Sequence, residues 1–260
     1  MNRSHRTILT ALALAIGLSA AACHPEFNPK VLAANPDALF AASLKKLQGH
    51  HWDDAARGFD ELTHDLPARD PLLPLSYYYL GQAQDKNGDH LLAAQSFSRI
   101  AEAFPDDSLA DDALLASGRS YAKMWRKPQL DATYGTQAEQ TLQELVSLYP
   151  ESPLVPQANA AIARLDEMFA EKDLQTGEHY LRRRAYDSAI IYLKDVVWLH
   201  PNAPAARKAN LRLLEAYRAI RYTADARDLC DAMLKSYPND REVRDQCGSA
   251  SSAAASTPHT

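Results

Sequence analysis

The chain has 260 residues, 28 of them Lys or Arg and 33 Asp or Glu, for a net charge of −5 at pH 7. That balance gives no global attraction to nucleic acid, and the length suits one large domain or an elongated array. At the amino terminus, Arg3 and Arg6 precede an apolar run from Ile8 to Leu18, and small residues Ser19 to Ala22 lead to Cys23. This is the three-part layout of a secretory signal peptide, and the run is too short to favour a spanning helix.

Small residues directly before a cysteine resemble a bacterial lipoprotein signal, although Ala20 stands where leucine is usual. The resemblance implies cleavage after Ala22 and acylation of Cys23, and His24 in place of aspartate implies export to the outer membrane. Removal of residues 1–22 leaves 238. Each buried acyl methylene contributes ~0.8 kcal/mol, so several chains hold where one would not.

Beyond the tether, small and large residues recur in a fixed order. Ala55, Phe59, Leu62 and Pro67 form a first unit. Tyr77, Leu80 and Gly81 precede Ala93, Phe97, Ile100 and Pro105. Gly118 and Tyr121 precede Ala138, Leu142, Leu145 and Pro150; Gly177 and Tyr180 precede Ala189, Leu193, Val196 and Pro201. Leu213 and Tyr217 precede Ala226, Cys230, Met233 and Pro238. Helices cross closely only where side chains are tiny, a bulky residue one turn later fills the gap, and proline stops the second helix. No strand-like alternation competes with this period.

The pattern resembles the tetratricopeptide repeat (TPR), so the expected fold is an all-α, TPR-like α-solenoid of five helix-turn-helix repeats. The marker alanines lie 38, 45, 51 and 37 residues apart, against a repeat of about 34. The excess in repeat three is a loop in MWRKPQLDATYGT, marked by Pro128 and Gly135. Ile162, Leu165, Phe169, Thr176 and Tyr180 share one helical face, which predicts an elongated connecting helix between repeats three and four. The expected organisation is a signal peptide at 1–22 and a lipidated tether at 23–35. Repeats one to three follow at 36–151, the connecting helix with repeats four and five at 152–243, and a disordered tail at 244–260, where bulky apolar residues are lacking. Cys230 and Cys247 could pair in an oxidising compartment, but connectivity is not readable from sequence; Cys230 falls among core positions and reads first as a small buried hydrophobe.

The densest set of possible metal ligands is His50, His51, Asp53, Asp54 and His64. Zinc sites favour spacings such as H-x3-H or H-E-x-x-H, and neither occurs here. In the repeat frame the two histidines fill a turn, Trp52 follows it, and the aspartates complement the next helix dipole. The expectation is a corner and no metal. No phosphate-binding glycine loop or G-x-S-x-G elbow is present, so neither a cofactor nor an enzyme is expected.

An acylated cysteine followed by five such repeats, with an extended third unit and a long helix before the fourth, resembles the BamD (YfiO/ComL) family. These are lipoproteins of the outer-membrane β-barrel assembly machinery. The segments GEHYLRRRAYDSAIIYLKDVVWLHP and LKKLQGHHWDDAARGFDEL carry the likeness; Arg184 departs from it, replacing a glycine usual in the fourth-repeat turn. The resemblance implies a non-enzymatic scaffold, lipid-anchored on the periplasmic side of the outer membrane. Its partners would be a BamA-like central barrel subunit, other assembly lipoproteins and unfolded outer-membrane proteins. Phe40, Tyr77, Tyr78, Arg119 and Tyr121 fall on first helices of repeats one to three and are the expected peptide-binding residues, with Tyr121 also suited to the core. Arg183, Arg184, Arg218 and Arg221 are the expected partner-docking residues; the bland reading of Arg182 to Arg184 is a solvated helix end. Two other readings stay open: another TPR lipoprotein, such as a pilotin or cell-envelope coordination factor, and a metal-dependent hydrolase using the histidines.

Overall fold

A computed structural model describes the backbone of residues 27–254 and the side chains of 27–248. The signal peptide and Cys23 lie outside the described residues. Every regular element among the described residues is helical. In order they are α1 (Pro29–Leu32), α2 (Pro36–Gln48), α3 (Trp52–Asp65), α4 (Leu72–Asn87), α5 (His90–Ala103) and α6 (Ala110–Met124). Then come α7 (Thr133–Leu148), α8 (Val155–Arg182), α9 (Tyr186–Leu199), α10 (Pro204–Ala219), α11 (Thr223–Ser236) and α12 (Arg241–Ala254). The chain divides into two compact units, Met1–Asn87 and Gly88–Thr260, so the expected division at 151 lies inside the second.

The second helices of the repeats end as proline chemistry requires. Leu66, Phe104, Tyr149, His200 and Tyr237 each cap a helix and precede a proline, which drives them out of helical geometry. Each cap still donates its amide one turn back, to Leu62, Ile100, Leu145, Val196 and Met233. Those acceptors are the third marker of every repeat. Helix starts use complementary devices: Asn35 Oδ1 accepts from the Ala38 amide, and prolines open α2, α8 and α10.

Packing follows the small-residue markers. A Cβ on Gly118 would lie 2.6 Å from Leu142 Cγ, and one on Gly177 would lie 2.7 Å from Leu193 Cγ. Glycine on the first helix therefore admits the leucine that the repeat places on the second. Ala138, Leu142, Leu145, Ala189, Leu193 and Val196 have no exposed surface. The 28-residue α8 packs against α7 with its first part and against α9 and α10 with its last.

The repeat-three loop is held firmly. Trp125 caps α6, is 1% exposed and lies against Phe169 of α8 with ring centroids 4.5 Å apart. Lys172 of α8 donates to the Leu130 carbonyl at 2.9 Å, and Gln175 accepts from Gln129 at 2.7 Å. Phe169 in turn stacks on His200, whose Nδ1 sits 2.5 Å from Asp166 Oδ1.

Three expectations need correction. The tether reading fails from Phe27 onward: Pro29 is buried in α1, and the Phe27 ring lies on the first hairpin. Cys230 and Cys247 form a disulfide, with Cα atoms 5.4 Å apart. The core position of Cys230 is compatible with pairing because Cys247 approaches it from α12, and α12 is the third correction. Residues 244–254 are helical rather than disordered, because Val243 and Cys247, one turn apart, bury against the last hairpin. Arg207 fastens the start of α12 through Asp240 and Glu242, and its guanidinium holds the Asp240 carboxyl down at about 2. The serines and alanines that follow only propagate a helix already begun.

Replacing Cys247 by serine is expected to cost about 3 kcal/mol, the loop-closure contribution of a link across 17 positions. Thermal unfolding with and without reductant checks it: reductant should lower the midpoint of the natural chain and leave the Cys247→Ser variant unmoved.

Candidate docking surfaces

In the first unit, aromatic side chains from three helices meet. Phe40 of α2 lies edge-on to Phe59 of α3 at 5.5 Å and to Tyr79 of α4 at 5.8 Å. Phe59 and Tyr79 stack at 5.5 Å, and Tyr78 meets Tyr79 edge-on. Phe59 is wholly buried, whereas Phe40, Tyr77, Tyr78 and Tyr79 are half-buried. The structure thus brings Phe40 and Tyr78 together through Tyr79, which sequence reasoning passed over. Phe40, Tyr78 and Tyr79 keep part of their surface open, and Tyr77 is part-exposed on the same helix; half-buried aromatics of this kind suit an extended aromatic-rich segment.

In the second unit, Arg119 is exposed on α6 and donates to Gln157 Oε1 of α8 at 2.9 Å. Tyr121, half-buried, stacks on Tyr134 at 6.3 Å, and burial raises its hydroxyl above the ordinary tyrosine value. Tyr121 therefore serves packing as much as display.

The expected corner at 49–54 is built by the backbone. His50 adopts φ 63°, and its ring rests 4.8 Å from that of Trp52. Asp54 pairs with Lys46 at 2.6 Å, which lowers its pKa, while His64 Nδ1 sits 2.8 Å from the Asp60 carbonyl of its own helix. Among the described residues no three His, Cys, Asp or Glu side chains converge on one point.

The same left-handed residue recurs at the other tight corners: Gly88 (φ 94°), Arg184 (φ 61°) and Arg221 (φ 63°). The backbone at Arg184 is one that glycine adopts without strain. Substituting Arg184 by glycine should stabilise the fold by about 0.5–1 kcal/mol, the relief of left-handed strain less the added freedom of the unfolded chain. A urea titration should show a higher midpoint at unchanged slope.

Arg183, Arg184 and Arg221 are exposed, and their guanidinium groups pair with nothing among the described residues. Arg218 differs. It donates to the Gln246 side chain and carbonyl of α12, at 3.1 and 2.6 Å, so part of its role is structural.

A groove that the sequence reading did not name lies between α9 and α11. It has a volume of about 380 Å³, with Lys194 and Trp198 of α9 on one wall and Asp225, Asp228 and Met233 of α11 on the other. Its floor includes Tyr217 of α10. Trp198 is 66% exposed, shielded by Lys194, whose Nζ sits 4.6 Å from the ring centroid. Asp225 and Asp228 make no ion pair among the described residues. A signal existed: Ile191 and Trp198 stand seven apart, off the stripe of Ala189, Leu193 and Val196, and both are exposed. This apolar cleft with unpaired charge on its rim suits a partner's side chains.

Residues 32–234 match the family YfiO, described as "Outer membrane lipoprotein". The chain is 27% identical over 229 residues to the outer membrane protein assembly factor BamD of Vibrio cholerae, covering 83% of this chain and 90% of that one. It is 23% identical over 245 residues to the protein of the same name in Caulobacter vibrioides, covering 91% and 78%. A solved TPR repeats protein from Bacteroides fragilis shares the fold at a TM-score of 0.50 and 14% identity, over 84% of this chain and 99% of that one.

Proposed function

The chain belongs to the YfiO family of outer membrane lipoproteins, and from that premise we propose that it is a non-enzymatic scaffold of outer-membrane β-barrel assembly. In this reading Cys23 carries the lipid that holds the protein on the periplasmic side of the outer membrane. Unfolded barrel segments bind Phe40, Tyr77 and Tyr78 in the first unit, and Arg119 and Tyr121 offer substrate contacts of their own in the second. The last two hairpins dock the periplasmic domains of a BamA-like subunit.

The observation that carries the docking assignment is the exposed Trp198 in one groove with Asp225 and Asp228, which make no ion pair among the described residues; Arg183, Arg184 and Arg221, exposed in the turns before α9 and α11, add positive charge to the same hairpins. Burying an indole in a partner's pocket is the commonest source of large interface energies, and charged rims fix register. Arg218 contributes by holding α12 in place through Gln246.

Affinity purification from detergent-solubilised envelopes tests the assignment. The natural chain should recover a BamA-like barrel subunit. Trp198→Ala and the pair Arg184→Glu with Arg221→Glu should each reduce that recovery several-fold without lowering the unfolding midpoint. Recovery of a pilus secretin in place of the barrel subunit, or undiminished recovery by all variants, would overturn it.

A further inference from the structure

The amino-terminal end of the described chain is fastened where a slack tether was expected. The Phe27 ring sits in a seat on the first hairpin: a Cβ on Gly58 of α3 would come within 2.9 Å of Phe27 Cζ, and Lys46 Nζ of α2 lies 5.1 Å from its centroid. The absence of a side chain at position 58 makes room for both this ring and Ser43, whose Oγ would lie 2.0 Å from such a Cβ. Two residues later Pro29 is buried at the start of α1. By contrast, Lys30 is exposed, and Val31 at 72% is the most exposed large hydrophobic side chain among the described residues.

Only His24, Pro25 and Glu26 separate Phe27 from Cys23. Whatever conformation they take, four residue steps reach no further than about 14 Å. We infer that the seated Phe27 turns the lipid anchor into a rigid mount that sets α1 against the bilayer surface, with Lys30 and Val31 as its lipid contacts. The inference rests on acylation of Cys23. An isolated outward valine is unremarkable by itself; one a single helical turn beyond a ring held within that reach of the acylated cysteine, beside a lysine that can extend to anionic headgroups, fits an interfacial contact. Only three residues separate the acylated cysteine from the seated ring, so the first hairpin is held within a fixed height of the lipid.

The test uses the full-length acylated protein in phosphatidylethanolamine–phosphatidylglycerol vesicles that carry nitroxide lipid. A fluorophore is placed at Val31→Cys or, as a control, at Arg69→Cys in the turn after α3. With Cys230 and Cys247 paired and Cys23 acylated, the introduced thiol is the only one to label. Quenching at position 31 should exceed that at 69 several-fold. A Gly-Ser linker of about 20 residues between Glu26 and Phe27, with about 25 Å of root-mean-square reach, should bring the two level while leaving the seat intact. Phe27→Ala should act in the same direction. Equal quenching at both positions, or no response to the linker, in protein whose intact mass shows the acyl chains would overturn the mount alone. A mass without acyl chains would refute the lipid anchor and the mount together.

Discussion

Replacing Trp125 by alanine is expected to lower the stability of the second unit by about 3–5 kcal/mol. The indole is 1% exposed and lies between Gly135 of α7 and Phe169 of α8; a Cβ on Gly135 would already press on its ring. Removal would leave a cavity that three elements cannot jointly collapse, because Lys172 and Gln175 fix the loop to α8. Trp125→Phe should recover most of the loss. The indole N–H has no hydrogen-bond partner among the described residues, so losing it forfeits none of their bonds and removes a buried unsatisfied donor. Urea unfolding of the three proteins measures the order directly. A phenylalanine variant as unstable as the alanine one would show that the ring's area is not what matters.

Gly177→Val is the second large effect, expected to cost about 3 kcal/mol or to prevent folding of the fourth repeat. The new Cβ would stand 2.7 Å from Leu193 Cγ and 2.8 Å from its Cδ2, in a helix pair where Ala189 is fully buried. Neither helix has room to retreat, since α8 also meets α10 and α9 also meets α10. Leu193→Ala should partly rescue Gly177→Val by opening the space, though on its own it costs 2–5 kcal/mol, as is roughly usual for such truncations. Double-mutant thermal unfolding separates the outcomes, and simple additivity would refute direct contact.

These two sites show why the repeats were legible and their supports were not. Gly118, Gly177, Ala138 and Ala189 advertise close crossings through local chemistry, because only tiny residues permit them. The prolines after Leu66, Phe104, Tyr149, His200 and Tyr237 act on the residue beside them, so helix ends can be read in place. Trp125 carries no such mark; its burial depends on Phe169, forty-four positions away. Cys247 sits amid residues too polar and small to suggest packing, and only the apposition of α11 and α12 reveals its partner. Phe27 was lost for a related reason. Its seat is a missing side chain at Gly58, and a short helix with one buried proline has no period to detect.

The candidate surfaces divide the same way. First-helix positions placed Phe40, Tyr77 and Tyr78 correctly on their helices, but the ring that links them, Tyr79, is set by tertiary packing. The arginine corners followed from repeat alignment, while the groove beside Trp198 required knowing that α9 and α11 leave a gap over α10.

One covalent bond reshapes how this array should come apart. In a stack of helical hairpins the terminal member has a single neighbour, so amide exchange ordinarily begins at both ends and moves inward. Here Cys230 and Cys247 bind the last helix to the one before it. Deuterium should therefore enter α11 and α12 together, at a rate set by their joint release from α10, and the carboxyl end stops acting as a zipper's open edge.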